Sequence, residues 1–188
     1  MAERELSPMP MPGEATRDSI ARMIRVDHAG EVAAKRIYQG QLDVLRQRPG
    51  MAAEVALIEE MAEKENAHLA RFEALMREHQ VRPTALGPLW DVASYGLGVV
   101  SALLGANAAM AATVAVEEVI SEHYQAQSLA LAATAPELAA TIDEFRADEI
   151  AHRKTALAHG AETAVGYAPL SALVKAGCRL AIKIAGRV

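Results

Sequence analysis

Residues 138–156 are predicted to form one helix in which two ionisable side chains take positions that the pattern assigns to apolar residues. Steps of three and four residues, the spacing of one helix face, connect Leu138, Ile142, Phe145, Glu149, His152 and Ala156. Burying a charge without a partner is very costly, so either this face is not buried at Glu149 and His152 or a cationic partner lies beside them. The rest of the chain favours a cationic partner.

Three further helices carry ionisable residues within apolar stripes. The helix predicted over residues 51–79 repeats the Glu-x-x-His pattern, with Glu65 and His68 between Met61 and Phe72. The helices predicted over residues 18–48 and 106–133 each place one carboxylate in the stripe, and these are Glu31 and Glu117. A four-helix bundle would bring all four positions to one level.

The order of these residues repeats in the two halves of the chain. Glu31 precedes Glu65 by 34 residues, and Glu117 precedes Glu149 by 32. A tyrosine follows each lone glutamate after seven residues, as Tyr38 and Tyr124. The alternative is that these are ordinary exposed helix residues. A single Glu-x-x-His is a weak signal, but its conjunction with matched lone glutamates favours a repeated site.

Composition restricts the class of protein. The chain has 188 residues, 4% aromatic residues and one cysteine, so we expect one all-α domain without an internal disulfide or thiolate metal cluster. The net charge is −5, and residues 168–188 carry +4, which leaves −9 (−5 minus +4) for the remainder. An acidic body argues against nucleic acid as a partner.

The predicted organisation is a disordered lead-in over residues 1–16, followed by one domain over residues 17–188. The first helix is expected to begin near Asp18 and Ser19, both good N-cap residues. The fourth bundle helix, over residues 136–159, is expected to begin with a capping box from Thr134 to Glu137 and to end at Gly160. Gly30 lowers helix propensity beside Glu31, and close approach of another group is one explanation.

Two more helices are predicted to face a membrane. Residues 89–104 are apolar, and no charged residue occurs from 92 to 116. The last helix, over residues 169–186, carries a cationic stripe at every fourth position, formed by Lys175, Arg179, Lys183 and Arg187. Such a helix can lie on anionic lipid. The alternative for residues 89–104 is a buried packing or dimerisation helix.

The ligand chemistry points to two metal ions. Glu and His at positions i and i+3 share a helix face and can reach one ion. Four carboxylates contribute −4, which two divalent ions neutralise. Oxygen-rich, imidazole-containing and thiolate-free ligation favours iron or manganese over structural zinc, the pattern of ferritin-like bundles. Asp148 is predicted either to orient a ligand histidine or to be solvated.

Several segments together resemble the demethoxyubiquinone hydroxylase family. They are Arg25-Val-Asp-His-Ala-Gly-Glu31, Glu65-Asn-Ala-His68, Thr113-Val-Ala-Val-Glu-Glu118 with His123-Tyr124, Phe145-Arg-Ala-Asp-Glu-Ile-Ala-His152, and Ala176-Gly-Cys178. The resemblance covers residues 17–188. It implies a ferritin-like di-iron monooxygenase of ubiquinone biosynthesis, peripheral to the membrane.

The resemblance also implies roles for individual residues. The two iron ions would be held by Glu31, Glu65, His68, Glu117, Glu149 and His152. The Ala-Val-Glu pattern of the family selects Glu117 over Glu118. His123 and Tyr124 would lie near the site and take part in electron or proton delivery.

The implied reaction places one oxygen atom from O2 on the ring of demethoxyubiquinone or its quinol, with a reduced nicotinamide as the electron donor. The chain contains no Gly-x-Gly-x-x-Gly fingerprint, so its nicotinamide site is not of Rossmann type. Implied protein partners are a second copy or other ubiquinone-biosynthesis proteins. Because no mitochondrial targeting extension is evident, we expect the cytoplasmic face of a bacterial cell membrane. The rival functions are a ferritin- or rubrerythrin-like iron oxidase or peroxidase, and a non-enzymatic helical membrane adaptor.

Overall fold

The computed structural model describes residues 15–187, and within them it contains helices and no strand, which confirms the predicted all-α fold. The helices are α1 (Arg17–Leu45), α2 (Ala52–Glu78), α3 (Gly87–Leu103), α4 (Ala106–Leu131), α5 (Pro136–Ala158) and α6 (Tyr167–Ala185). The long helices α1, α2, α4 and α5 form the bundle. α3 packs along α1 and α6 packs along α4.

Two helix starts differ from the sequence predictions. Residues 1–14 of the predicted lead-in lie outside the described residues, but Thr16 is the N-cap of α1, in place of Asp18 or Ser19. Thr16 Oγ1 accepts a hydrogen bond from the Ser19 backbone N–H, and Ser19 Oγ accepts one from Thr16 N–H. Ser19 is therefore the reciprocal member of a capping box, three residues into the cap.

The capping box predicted from Thr134 to Glu137 does not form. Thr134 lies in the turn that follows α4, where its N–H donates to Leu131 O at 3.0 Å. Ala135 is the N-cap of α5, without a side-chain cap, and Pro136 takes the first turn. Gly160 follows α5 with φ of 83°, the left-handed conformation expected after a helix end.

A polar layer crosses the middle of the bundle between two apolar clusters. One cluster surrounds Leu42, Ile58 and Met110, and the other surrounds Ile24, Phe72 and Ile142. Along each bundle helix the apolar stripe passes from one cluster to the other through the ionisable positions. The two clusters enclose that layer on both sides, which keeps bulk water away from it.

Helices α1 and α3 approach closely at two glycines. A Cβ added to Gly98 would lie 2.9 Å from the carbonyl carbon of Ile37 and closer still to its oxygen. A Cβ added to Gly40 would lie 2.8 Å from the backbone nitrogen of Val99. The absence of side chains at these positions brings α3 against α1 over the length of the contact.

The cationic stripe of α6 is partly used within the protein. Lys175 Nζ lies 2.6 Å from Glu118 Oε1, and Arg179 lies 3.1 Å from Glu122 Oε2. These ion pairs join α6 to α4, so the first half of the stripe has carboxylate partners within the protein, and contact of the stripe with anionic lipid stays a prediction. Within residues 15–187, no helix has the length and apolar character that crossing a membrane requires.

Candidate metal centre

The bundle brings the six predicted ligand residues together at its centre. Their side chains form two groups whose potential ligand atoms lie within 4.8 Å of one another. The groups are Glu31, Glu65, His68 and Glu149, and Glu65, Glu117, Glu149 and His152. Each of the six residues is buried. Glu65 and Glu149 belong to both groups, so each can contribute one oxygen to each of two adjacent positions.

Polar atoms at the centre lack hydrogen-bond partners among the described residues. The buried atoms without a partner are Glu31 Oε2, Glu65 Oε1, His68 Nδ1, Glu117 Oε2, both Glu149 oxygens and His152 Nδ1. Buried polar groups are almost always satisfied, and leaving one unpaired costs about 1–3 kcal/mol. Seven such atoms facing one another therefore fit the binding of cations between them.

Both histidines present the same ring nitrogen to the carboxylates. His68 Nδ1 is 3.3 Å from Glu149 Oε1, and His152 Nδ1 is 3.1 Å from Glu65 Oε1. Nε2 of His68 faces outward and lies 3.1 Å from Asp148 Oδ2. Donation from this nitrogen to Asp148 holds the ring so that Nδ1 faces the carboxylates, where a metal ion would replace the Nδ1 proton.

Burial and mutual repulsion raise the pKa values of the carboxyl groups at the centre. Burial and then the neighbouring Glu149 raise the pKa of Glu65 and of Glu117 well above the usual value, and burial raises the pKa of Glu149 itself. Burial acts to lower the pKa of His68, but its contacts with Glu149 and Glu31 raise it to about 10. A divalent ion in each group would offset both the burial and the repulsion that produce the carboxyl shifts.

Each lone glutamate is held by the tyrosine from the opposite half of the sequence. Tyr38 Oη donates to Glu117 Oε1 at 2.6 Å, and Tyr124 Oη donates to Glu31 Oε1. Both tyrosines are buried, and burial raises the pKa of each well above 10.0. They stay protonated and fix one oxygen of each carboxylate, which leaves the other oxygen free.

His123 lies next to the centre through a network that the sequence did not reveal. Asp27, one turn before Glu31, is buried, and its Oδ1 accepts from Gln127 Nε2 at 2.8 Å and lies 3.2 Å from His123 Nε2. Burial raises the pKa of Asp27. Asp27 lies four residues before Glu31, a spacing that places both on one helix face. The sequence did not single out Asp27, because the adjacent His28, three residues before Glu31, fits the same face.

The neighbours of two predicted ligands point away from the centre. Glu118 reaches outward to Lys175, so only Glu117 joins the buried groups. Asp148 contacts His68 and also lies 3.4 Å from Lys64 Nζ. The contact between Lys64 and Asp148 was not predicted from the sequence. The signal was that Lys64 and Asp148 occupy corresponding positions, immediately before Glu65 and Glu149.

An apolar cavity of about 450 Å³ lies beside the centre, between α1, α3, α4 and α6. Its wall includes Gly30 and Val116, which immediately precede Glu31 and Glu117. Within the described residues nothing lies within 4 Å of a Cβ added to Gly30, so close approach of another protein group does not occur there. The protein's own helices approach closely at Gly40 and Gly98, and the missing side chain at Gly30 leaves space for the cavity.

A four-helix bundle with four buried carboxylates and two histidines at its centre defines a ferritin-like protein with a site fitted to two metal ions. The chain belongs to the family described as ubiquinone biosynthesis protein COQ7, whose model matches residues 18–185. The resemblance inferred from the sequence motifs is thereby confirmed.

Curated relatives extend over most of the chain. A protein of Dictyostelium discoideum named NADPH-dependent 3-demethoxyubiquinone 3-hydroxylase, mitochondrial, is 51% identical over 92% of this chain and 79% of its own length. The 3-demethoxyubiquinol 3-hydroxylase of Rhodospirillum rubrum is 46% identical over 95% of this chain and 83% of its own length. The human NADPH-dependent 3-demethoxyubiquinone 3-hydroxylase, mitochondrial, is 45% identical over 92% and 80%.

Proposed function

We propose that this protein is a di-iron monooxygenase that hydroxylates the ring of demethoxyubiquinone, or its quinol, with O2 in ubiquinone biosynthesis. The observation that carries the proposal is the set of seven buried, unpartnered ligand atoms from six residues at the bundle centre. The names of the relatives supply the reaction and the substrate class.

The proposed ligands divide between two metal positions. Glu31 and His68 serve one position, Glu117 and His152 serve the other, and Glu65 and Glu149 are shared. Four carboxylates would balance two divalent ions in a buried site. When bound, iron supplies the redox chemistry with O2 that no side chain can perform.

The cavity is the proposed site of the substrate ring and the first part of its polyprenyl tail. Its wall is apolar, as a tail of this chemistry requires, and it passes beside the backbone that carries Glu31 and Glu117. The small residues Gly30 and Gly177 contribute to its width. The protein's own contribution is to hold the ring next to the centre and to exclude water from it.

The remaining site residues are proposed to position ligands and hold protons. Tyr38 and Tyr124 each fix one oxygen of a ligand carboxylate by hydrogen bonding. His123, with Asp27 behind it, is proposed to carry protons between the partly exposed edge of α4 and the centre. Asp148 is proposed to hold the ring of His68 in the orientation that presents Nδ1. The proposed electron donor is a reduced nicotinamide, as the names of two relatives state for those proteins.

Peripheral attachment to the cytoplasmic face of the cell membrane is part of the proposal. Exposed apolar side chains cluster on α3 and α6, the two helices that cover the cavity, and they are Leu89, Val92, Val100, Leu103, Leu104, Leu173 and Leu180. An apolar surface next to the cavity would allow a tailed quinone to pass from lipid into it. Release from membranes by salt or alkali would support this location, and a need for detergent after both treatments would contradict it.

The decisive experiment incubates purified protein with ferrous iron, NADH or NADPH, and demethoxyubiquinone under labelled O2. A gain of one labelled oxygen atom in the quinone is expected by mass spectrometry. Glu117→Gln is expected to abolish the gain, whereas Glu118→Gln, the matched change at the adjacent half-buried position that points away from the centre, retains it. Oxidation of iron without a hydroxylated quinone would favour the iron oxidase, and less than one metal ion per chain would favour the adaptor.

A further inference from the structure

The two halves of the centre are equivalent in their ligands but not in the charges behind them. The residue immediately before each Glu-x-x-His pair differs between the halves. It is Lys64 in α2 and Asp148 in α5. The tyrosines and the inward histidine nitrogens obey the two-fold relationship between the halves. Lys64 and Asp148 break it, because they carry opposite charges at corresponding positions.

Asp148 acts on the histidine of the opposite helix. Its Oδ2 is 3.1 Å from His68 Nε2, and the His68 side chain is 2% exposed, so this contact is shielded from solvent on the histidine side. A carboxylate in this position holds the ring in the orientation that presents Nδ1 to the Glu31/His68 position. His68 is therefore prepared to bind a cation.

His152 has no corresponding support. Among residues 15–187 no side chain or backbone group hydrogen bonds to its Nε2, and the position that corresponds to Asp148 is taken by Lys64. The Lys64 ammonium is 3.4 Å from Asp148 Oδ1 and 56% exposed, so its effect on the site is reduced by solvent but opposite in sign to that of Asp148. His152 therefore lacks the carboxylate contact that orients the ring of His68.

We infer that Asp148 and Lys64 make the two metal positions unequal, so that the Glu31/His68 position binds a divalent ion first and more tightly than the Glu117/His152 position. Asp148 and Lys64 are positioning residues in this scheme, since they act through the histidines. The inference rests on the proposed two-metal function of the same site. It gives the position beside His152 the more weakly held ion, and hence the one that exchanges more readily.

Anaerobic titration of the metal-free protein with Co²⁺, followed by calorimetry and visible absorption, tests the inference. The wild type is expected to show two steps, the first at least about 10-fold tighter. Asp148→Asn is expected to weaken the first step about 10–100-fold, and Asp148→Glu to restore most of the loss. Lys64→Asp, which supplies the missing carboxylate, is expected to strengthen the second step. Lys154→Gln, an exposed charge change on α5, is the control and should alter neither step.

A matched pair of variants assigns the steps to the positions. His152→Ala is expected to retain the tight step and lose the weak one, and His68→Ala to lose the tight step. Circular dichroism of the metal-free variants establishes that each is folded. Two equal steps in the wild type, or loss of the tight step in His152→Ala, would overturn the inference while leaving the two-metal function intact. Two binding steps of unequal affinity in a protein that does not hydroxylate the quinone would support this inference and contradict the proposed function.

Discussion

Tyr38 Oη donates a hydrogen bond to Glu117 Oε1 at 2.6 Å, which joins two residues that are 79 positions apart in the chain. The reciprocal bond runs from Tyr124 to Glu31. Each half of the sequence thus supplies the tyrosine that fixes the lone carboxylate of the other half. The sequence repeat therefore corresponds to two reciprocal hydrogen bonds that connect α1 with α4.

Replacing Tyr38 by Phe tests the first of these hydrogen bonds. The change leaves Glu117 Oε1 buried without its donor, and a hydrogen bond to a charged group contributes roughly 1.5–3 kcal/mol. We expect metal affinity to fall about 10–100-fold, because the carboxylate is no longer held in place. Calorimetric titration measures the change. Tyr95→Phe removes a hydroxyl that bonds Asp43 far from the centre and should leave affinity unaltered; equal affinities in Tyr38→Phe and wild type would contradict the role.

Occupation of the cavity can be followed through Cys178, which lines it and is the chain's single cysteine. Burial raises the pKa of this thiol to about 11, so the reactive thiolate is scarce at pH 8 and labelling by a maleimide is slow. We expect demethoxyubiquinone to slow the labelling further by blocking access, as mass spectrometry of the labelled protein would measure.

The control for this prediction is a cysteine placed outside the cavity. Val165→Cys in a Cys178→Ser background puts a thiol at a fully exposed position. Its labelling rate should not respond to the quinone. If saturating quinone left the labelling of Cys178 unchanged, the cavity would not be the binding site of the ring.

The sequence was sufficient to predict the all-α bundle and to nominate six residues for its centre, because helical periodicity determines which side chains share a face. It also separated Glu117 from Glu118, since only Glu117 continues the stripe toward Tyr124. Periodicity gives the face of each helix but not the rotation of one helix against another. The sharing of Glu65 and Glu149 by both groups depends on that rotation and became evident only from the coordinates.

Features that depend on contacts between helices escaped prediction for the same reason. Lys175 and Arg179 look like a lipid-facing stripe along the chain, yet the glutamates that neutralise them stand on α4. Gly30 was the glycine that the sequence singled out for close approach, but the contact between helices occurs at Gly40 and Gly98, where α3 packs against α1. One helix pattern does not reveal which of its glycines faces a neighbour.

The close contact between α1 and α3 predicts a large difference between two glycines of the same helix. Gly98→Ala forces a methyl group into the backbone of α1, and such overpacking costs about 1–3 kcal/mol of unfolding free energy. Gly96→Ala places the same methyl in open space and should stabilise the helix by up to about 1 kcal/mol. Thermal unfolding of both variants measures the difference, and similar destabilisation by the two changes would exclude a specific contact at Gly98.

The stability of the metal-free protein is predicted to fall as pH rises from 6.5 to about 10. The pKa of His68 is about 10 in the folded chain and 6.5 as the ordinary value, so its stabilising contribution is complete below pH 6.5 and is lost toward pH 10. The raised pKa values of Glu65, Glu117 and Glu149 act in the same direction above pH 4.5. The lowered pKa of His152 has the opposite effect, but only below pH 6.5.

Chemical unfolding of the metal-free and metal-loaded protein between pH 6.5 and 9 measures this dependence. His68 alone contributes a slope of up to about 1.4 kcal/mol per pH unit in this range. Metal binding requires deprotonated ligands and strengthens as pH rises. The free energy of unfolding of the loaded protein should therefore increase relative to that of the metal-free protein at each higher pH. The gap between the two curves therefore widens with pH. A metal-free protein whose stability rises between pH 6.5 and 9 would contradict the raised pKa of His68.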